Sequence, residues 1–89
     1  MNIPDDAFFA LLEQALRGRG GGTLQRTLYQ TLREAILQGA LAGDSRLPGS
    51  RAMALRLGLS RNTVNGALEQ LAIEGYLLRS RQGDRKSVV

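Results

Sequence analysis

The chain has 89 residues with neither cysteine nor histidine, enough for one small domain core but not for a separate enzyme. Disulfides, thiolate metal sites and histidine-based acid–base chemistry are thereby excluded. The net charge is +4 and eleven of the twelve basic residues are arginine, which favours an anionic partner, either nucleic acid or an acidic membrane surface.

The first predicted element is a helix over about 4–17. Phe8, Leu11, Leu12, Ala15 and Leu16 share one face. Asp5 and Asp6 at its start and Arg17 at its end suit the helix dipole. Gly18-Arg19-Gly20-Gly21-Gly22 then reads as a flexible linker. Residues 1–22 hold three acids and two arginines, a net −1, whereas 23–89 hold ten bases and five acids, a net +5. The chain accordingly divides into an accessory helix with its linker, 1–22, and a basic domain, 23–89.

A second helix is predicted from Leu24 to about Gln38, capped by Thr23, buried along Leu24, Leu28, Leu32, Ala35 and Ile36, and stopped by Gly39. Residues 42–49 read as a loop. A short helix over 51–57 follows, with Ser50 as its N-cap and Gly58 as its stop, and Leu59 turns into the core. Ser60 caps a further helix reaching Glu74. Val64, Ala67, Leu68 and Leu71 are its buried face, which turns Arg61, Asn62, Asn65 and Gly66 toward solvent. After Gly75 the period changes to that of two short strands, 76–80 and 86–89, around a basic turn at 81–85. The fold class expected is mainly α with a small β-hairpin. It is a winged helix-turn-helix, a three-helix core plus β-wing, with an extra N-terminal helix.

From Arg46 to Leu68 there are four arginines and no acid. A capped helix that opens with Arg-Asn-Thr inside such a stretch suits reading the DNA major groove. Arg61 can give two bonds to guanine, Asn62 or Asn65 can do the equivalent for adenine, and the Thr63 methyl can touch thymine. Alternatively Ser60 and Thr63 are only an ordinary helix start, with the threonine hydroxyl turned locally. Ser50, by hydroxyl or amide, and Arg51 suit phosphate contacts that set register without reading sequence. Arg46 and Arg56 are either further contacts or solvated charges. Gly66 either admits a close DNA backbone or is incidental, and Glu69 either marks where the helix leaves the groove or accepts from cytosine. In the wing, Gln82, Gly83, Arg85 and their neighbours can lay an arginine into a minor groove, or form a plain polar turn.

These residues resemble the N-terminal domain of the GntR family of bacterial transcription regulators, over Thr23 to about Gly83. The resemblance rests on Leu28-Tyr29-Gln30-Thr31-Leu32-Arg33-Glu34-Ala35-Ile36, Arg46-Leu47-Pro48-Gly49-Ser50-Arg51, Gly58-Leu59-Ser60-Arg61-Asn62-Thr63-Val64 and Leu71-Ala72-Ile73-Glu74-Gly75-Tyr76-Leu77. Its wording is closest to the MocR subgroup, in which a large aminotransferase-like domain that binds pyridoxal phosphate usually follows. The resemblance implies a homodimer on a two-fold operator, with DNA contacts at Arg51, Ser60, Arg61, Asn62, Thr63, Gln82 and Gly83. The sequence departs from the family pattern at Ala52 and Arg56, where acids are frequent, and in the wing, which lacks a second glycine.

The function expected is therefore sequence-specific binding of double-stranded DNA for transcription regulation. The alternatives are a winged domain that only docks protein and, more weakly, an RNA binder with Tyr29 and Tyr76 as stacking candidates. No catalysis, cofactor or metal is expected, since Lys86 is the one lysine and is placed on a solvent-exposed wing. No apolar run reaches the roughly 18 residues that cross a bilayer. The start Met-Asn-Ile-Pro-Asp-Asp has no signal-peptide pattern, so a soluble, cytoplasmic protein with no membrane partner is expected. The effector domain is absent from the chain, which is either a stand-alone DNA-binding protein or a piece of a longer one. The first helix buries its stripe either on its own domain or on a second subunit, where it would serve as the dimerisation element.

Overall fold

The computed structural model describes residues 4–18, 20–79 and 86–89. Four helices precede a two-stranded sheet: α1 Asp5–Arg17, α2 Leu24–Leu37, α3 Ser50–Leu57, α4 Arg61–Ile73, β1 Leu77–Arg79 and β2 Lys86–Val88. The helix signals in the sequence act where expected. The Thr23 hydroxyl accepts from the Arg26 amide, and the Ser60 hydroxyl accepts from the Thr63 amide at 3.1 Å. Such caps satisfy amides that the helix leaves without partners. Gly39 and Gly58 leave α2 and α3 with φ of 82° and 69°, the left-handed conformation that glycine adopts without a Cβ clash.

Helix α1 packs on α2 and α3 of its own chain. Phe8, Phe9, Leu12 and Leu16 are buried, and the first three belong to the same apolar cluster as Leu28, Leu32, Met53, Val64, Leu68 and Leu71. The structure thus has the intramolecular arrangement of the two left open for this helix. Its buried stripe differs from the expected one: Leu11 and Ala15 are half-buried, while Phe9 is buried in their place. Phe9 meets Phe8 edge-to-face, with ring centroids 5.4 Å apart, and the Arg56 guanidinium lies over the Phe9 ring, 4.4 Å from its centroid. Arg56 is therefore a brace between α3 and α1.

The loop before α3 bonds to the edge of the sheet. Strands β1 and β2 pair antiparallel, with Leu77 opposite Val88 and Arg79 opposite Lys86. On the far side of β2, Arg46 bridges Ser87. The Leu47 amide donates to the Lys86 carbonyl and the Val88 amide to the Ser45 carbonyl, both at 2.8 Å. These bonds satisfy an edge that a two-stranded hairpin would leave open. They also fix where the turn Leu47-Pro48-Gly49 delivers the chain into α3.

Two expectations are corrected here. Ser50 is not the cap of α3 but its first residue; extended Gly49 holds the cap position. Starting the helix one residue earlier places Ser50 on the inward face with Met53 and Ala54, and it is 0% exposed. Lys86 is buried as well: β2 is paired on one edge with β1 and on the other with the 44–47 segment, and the lysine side chain reaches Glu69 of α4.

Candidate nucleic-acid interface

The exposed polar surface centres on the start of α4. Arg61 and Asn62 are exposed on its first turn, and Asn65 is half-buried beside them. The opposite face, Val64, Ala67, Leu68 and Leu71, is buried completely, so the orientation of the helix is fixed by its core contacts. Arg51 is exposed on the first turn of α3, the helix that packs against α4. Two helix starts thus present guanidinium groups from rigid elements. The Thr63 hydroxyl is engaged locally, 2.9 Å from the Ser60 hydroxyl, and the residue is half-buried. Ser50 has no surface to offer a phosphate. Gln82, Gly83 and Arg85 lie outside the described residues.

Gly66 lies against a side chain of another helix. A Cβ there would lie 2.5 Å from Nε2 and 2.6 Å from Cδ of Gln25, which lies across α4 from the first turn of α2. Glycine makes room for that side chain. Because the clash involves the movable end of an exposed glutamine, Gly66→Ala should displace Gln25 and still gain helix propensity, up to about 1 kcal/mol. Urea unfolding should show a stability equal to or above that of the wild type. A loss of more than about 1 kcal/mol would mean that Gln25 cannot move.

Further along the same helix pair, polar side chains join α2 to the end of α4. The Tyr29 hydroxyl donates to Glu74 at 2.5 Å, the Gln70 amide donates to the same carboxylate at 2.9 Å, and Arg33 Nε donates to the Tyr76 hydroxyl at 3.2 Å. Donating to Glu74 raises the Tyr29 pKa, and accepting from Tyr29 and Gln70 lowers that of Glu74. Arg33 also lies 5.7 Å from the centroid of the Tyr76 ring. Both tyrosines are half-buried with their hydroxyls bonded, an arrangement unlike the open platforms on which single-stranded RNA stacks.

Glu69, on α4, lies 3.9 Å from Nζ of Lys86. The carboxylate read as facing phosphate or cytosine is therefore joined to the base of the wing.

The family model for bacterial regulatory proteins of the gntR family matches residues 24–84. The chain is 52% identical over 60 residues to the probable rhizopine catabolism regulatory protein MocR of Rhizobium meliloti, covering 67% of this chain and 12% of that protein. It is 40% identical over 84 residues to the transcriptional regulator TauR of Rhodobacter capsulatus, covering 93% of this chain and 16% of that one. The chain thus spans less than a fifth of the length of these curated relatives. Among solved structures it resembles YtrA from Sulfolobus acidocaldarius, a GntR-family transcription factor, with a TM-score of 0.71 and 27% identity over 79% of this chain and 72% of that one. A GntR-family regulator from Pseudomonas syringae shares the fold with a TM-score of 0.66 at 24% identity, covering 96% of this chain and 36% of that one.

Proposed function

Because the chain belongs to the gntR family of bacterial regulatory proteins, we propose that it binds double-stranded DNA sequence-specifically and serves transcription regulation. The observation that carries this reading is the exposed Arg61-Asn62 pair at the capped start of α4, on a helix whose other face is locked in the core. In the proposed complex α4 lies in the major groove. Arg61 reads guanine, Asn62 or Asn65 reads adenine, and Thr63 contributes its methyl to a thymine. Ser60 holds the first turn. Arg51 takes a phosphate from the start of α3, and Gln82, Gly83 and Arg85 contact DNA from the wing.

Two copies act on one two-fold site in this reading, since a single short helix reads too few base pairs for useful specificity. Their pairing uses a surface other than the α1 stripe, which is already buried against α2 and α3. The chain has no catalytic role of its own, and effector recognition belongs to other parts of such regulators. Among the described residues no helix is long and apolar enough to cross a membrane; action in the cytoplasm, where bacterial DNA lies, is part of the proposal.

Selection of bound duplexes from a random pool tests the reading. A recurrent motif with mirrored half-sites about one helical turn apart is expected. Fluorescence anisotropy should then show tighter binding to the enriched duplex than to random duplex, and affinity that falls as salt rises, because phosphate contacts release counterions. Failure to bind any duplex at low salt would leave the protein-docking alternative.

A further inference from the structure

The base of the wing is joined to the recognition helix through an almost buried charge. Lys86 opens β2 and its side chain is only 10% exposed, yet it carries an ammonium group. A charge withdrawn from water needs a partner, and the carboxylate it meets is Glu69 on α4, at 3.9 Å. The same residue has two further attachments. It stands opposite Arg79 of β1, and its carbonyl accepts from Leu47 at the entrance to α3. The wing strand, the segment leading into α3 and the recognition helix therefore meet at one lysine.

From this junction we infer that Glu69 and Lys86 are positioning residues for DNA recognition: they fix the wing's base relative to α4, so that wing and helix engage one site in a single register. The inference rests on the DNA-binding reading above. It also accounts for an acid on a helix otherwise suited to approach phosphate. An unpaired Glu69 would oppose DNA binding by repulsion, whereas a paired one holds Lys86 in place. The two roles give opposite signs on removal of the charge, so the proposal can be decided.

The test uses the full 89-residue chain, the duplex most enriched from the random pool, and a random duplex of the same length. With Glu69→Gln, affinity for the enriched duplex should fall by roughly 5- to 20-fold, in the range of a disturbed positioning contact. Affinity for the random duplex should stay level or rise, because an acid has been removed near phosphate. Lys86→Met should lower the ratio of the two affinities similarly. In the Glu69→Gln background it should cost much less than in the wild type, since the pair acts as a unit. Circular dichroism and urea unfolding establish that each variant compared is folded. If Lys86→Met is not, Glu69→Gln alone decides, through the ratio of affinities.

Equal or tighter binding of Glu69→Gln to the enriched duplex would overturn the proposal and make Glu69 a solvated acid. So would additive effects in the double variant. A wild-type chain that binds both duplexes equally, or neither, would instead overturn the sequence-specific reading, and the proposal with it. The wild-type control thus separates the two failures.

Discussion

Phe8→Ala should destabilise the domain by about 3–5 kcal/mol, the range for removing a fully buried aromatic ring from a core that relaxes only in part. Phe8 is 1% exposed and lies in one cluster with Leu41, Leu47 and the buried faces of α2 and α4. A chain of 89 residues has a total stability of roughly 4–13 kcal/mol, so one substitution removes a large share of it. Leu55→Ala is the control: Leu55 is 84% exposed, and its replacement should change stability by no more than about 0.5 kcal/mol. Urea unfolding followed by circular dichroism measures both.

The same experiment tests the intramolecular docking of α1. If α1 rests on its own chain, the wild-type midpoint should not depend on protein concentration; exchange between subunits would make it rise with concentration. A chain beginning at Gly22 should lose cooperative unfolding, because the loss of α1 uncovers the apolar surface of α2 and α3 on which it packs. A loss below about 1 kcal/mol for Phe8→Ala would mean that α1 is not docked in solution.

Much of this arrangement was legible because it is local. Thr23 and Ser60 cap the helices they precede, and Val64, Ala67, Leu68 and Leu71 are buried at helical spacing. The change of period after Gly75 falls two residues before β1. What the sequence concealed depends on pairs that meet only in three dimensions. Phe9 lies at one edge of the buried face of α1, next to Leu16 and in line with Leu12, and Arg56 of α3 lies over its ring. Gly66 has Gln25, on another helix, as its near neighbour. The 44–47 segment has no strand pattern of its own, yet it bonds to β2 because the hairpin would otherwise leave that edge unpaired. The sequence places Lys86 on a solvent-exposed wing, since no rule of spacing shows that a basic residue beside a turn will be buried. In the candidate site, the start of α4 was legible from capping and composition, whereas the inward turn of Ser50 depends on a helix beginning one residue early, finer than periodicity resolves.

Arg61→Ala and Arg51→Ala should separate base reading from phosphate holding. Both arginines are exposed at helix starts, but on different helices. With α4 in the groove, Arg61 faces base edges, and its two parallel donors match guanine O6 and N7. Its loss should flatten preference at one base position, costing about 1–3 kcal/mol on the enriched duplex and much less on random DNA. Lysine should not restore the preference, because an ammonium is a point charge without the paired donors. In the proposed complex Arg51 lies on the helix that crosses the backbone and contacts phosphate, not a base. Arg51→Ala should weaken enriched and random duplexes by the same factor and lower the salt dependence of binding by about one counterion. Anisotropy titrations at several salt concentrations, against a panel of single-base variants of the enriched duplex, measure both effects. If Arg61→Ala weakens every duplex equally, Arg61 is a phosphate ligand and the base contacts lie elsewhere on α4. If Arg51→Ala changes the preference at a base pair, α3 enters the groove and the assignment of the two helices is reversed.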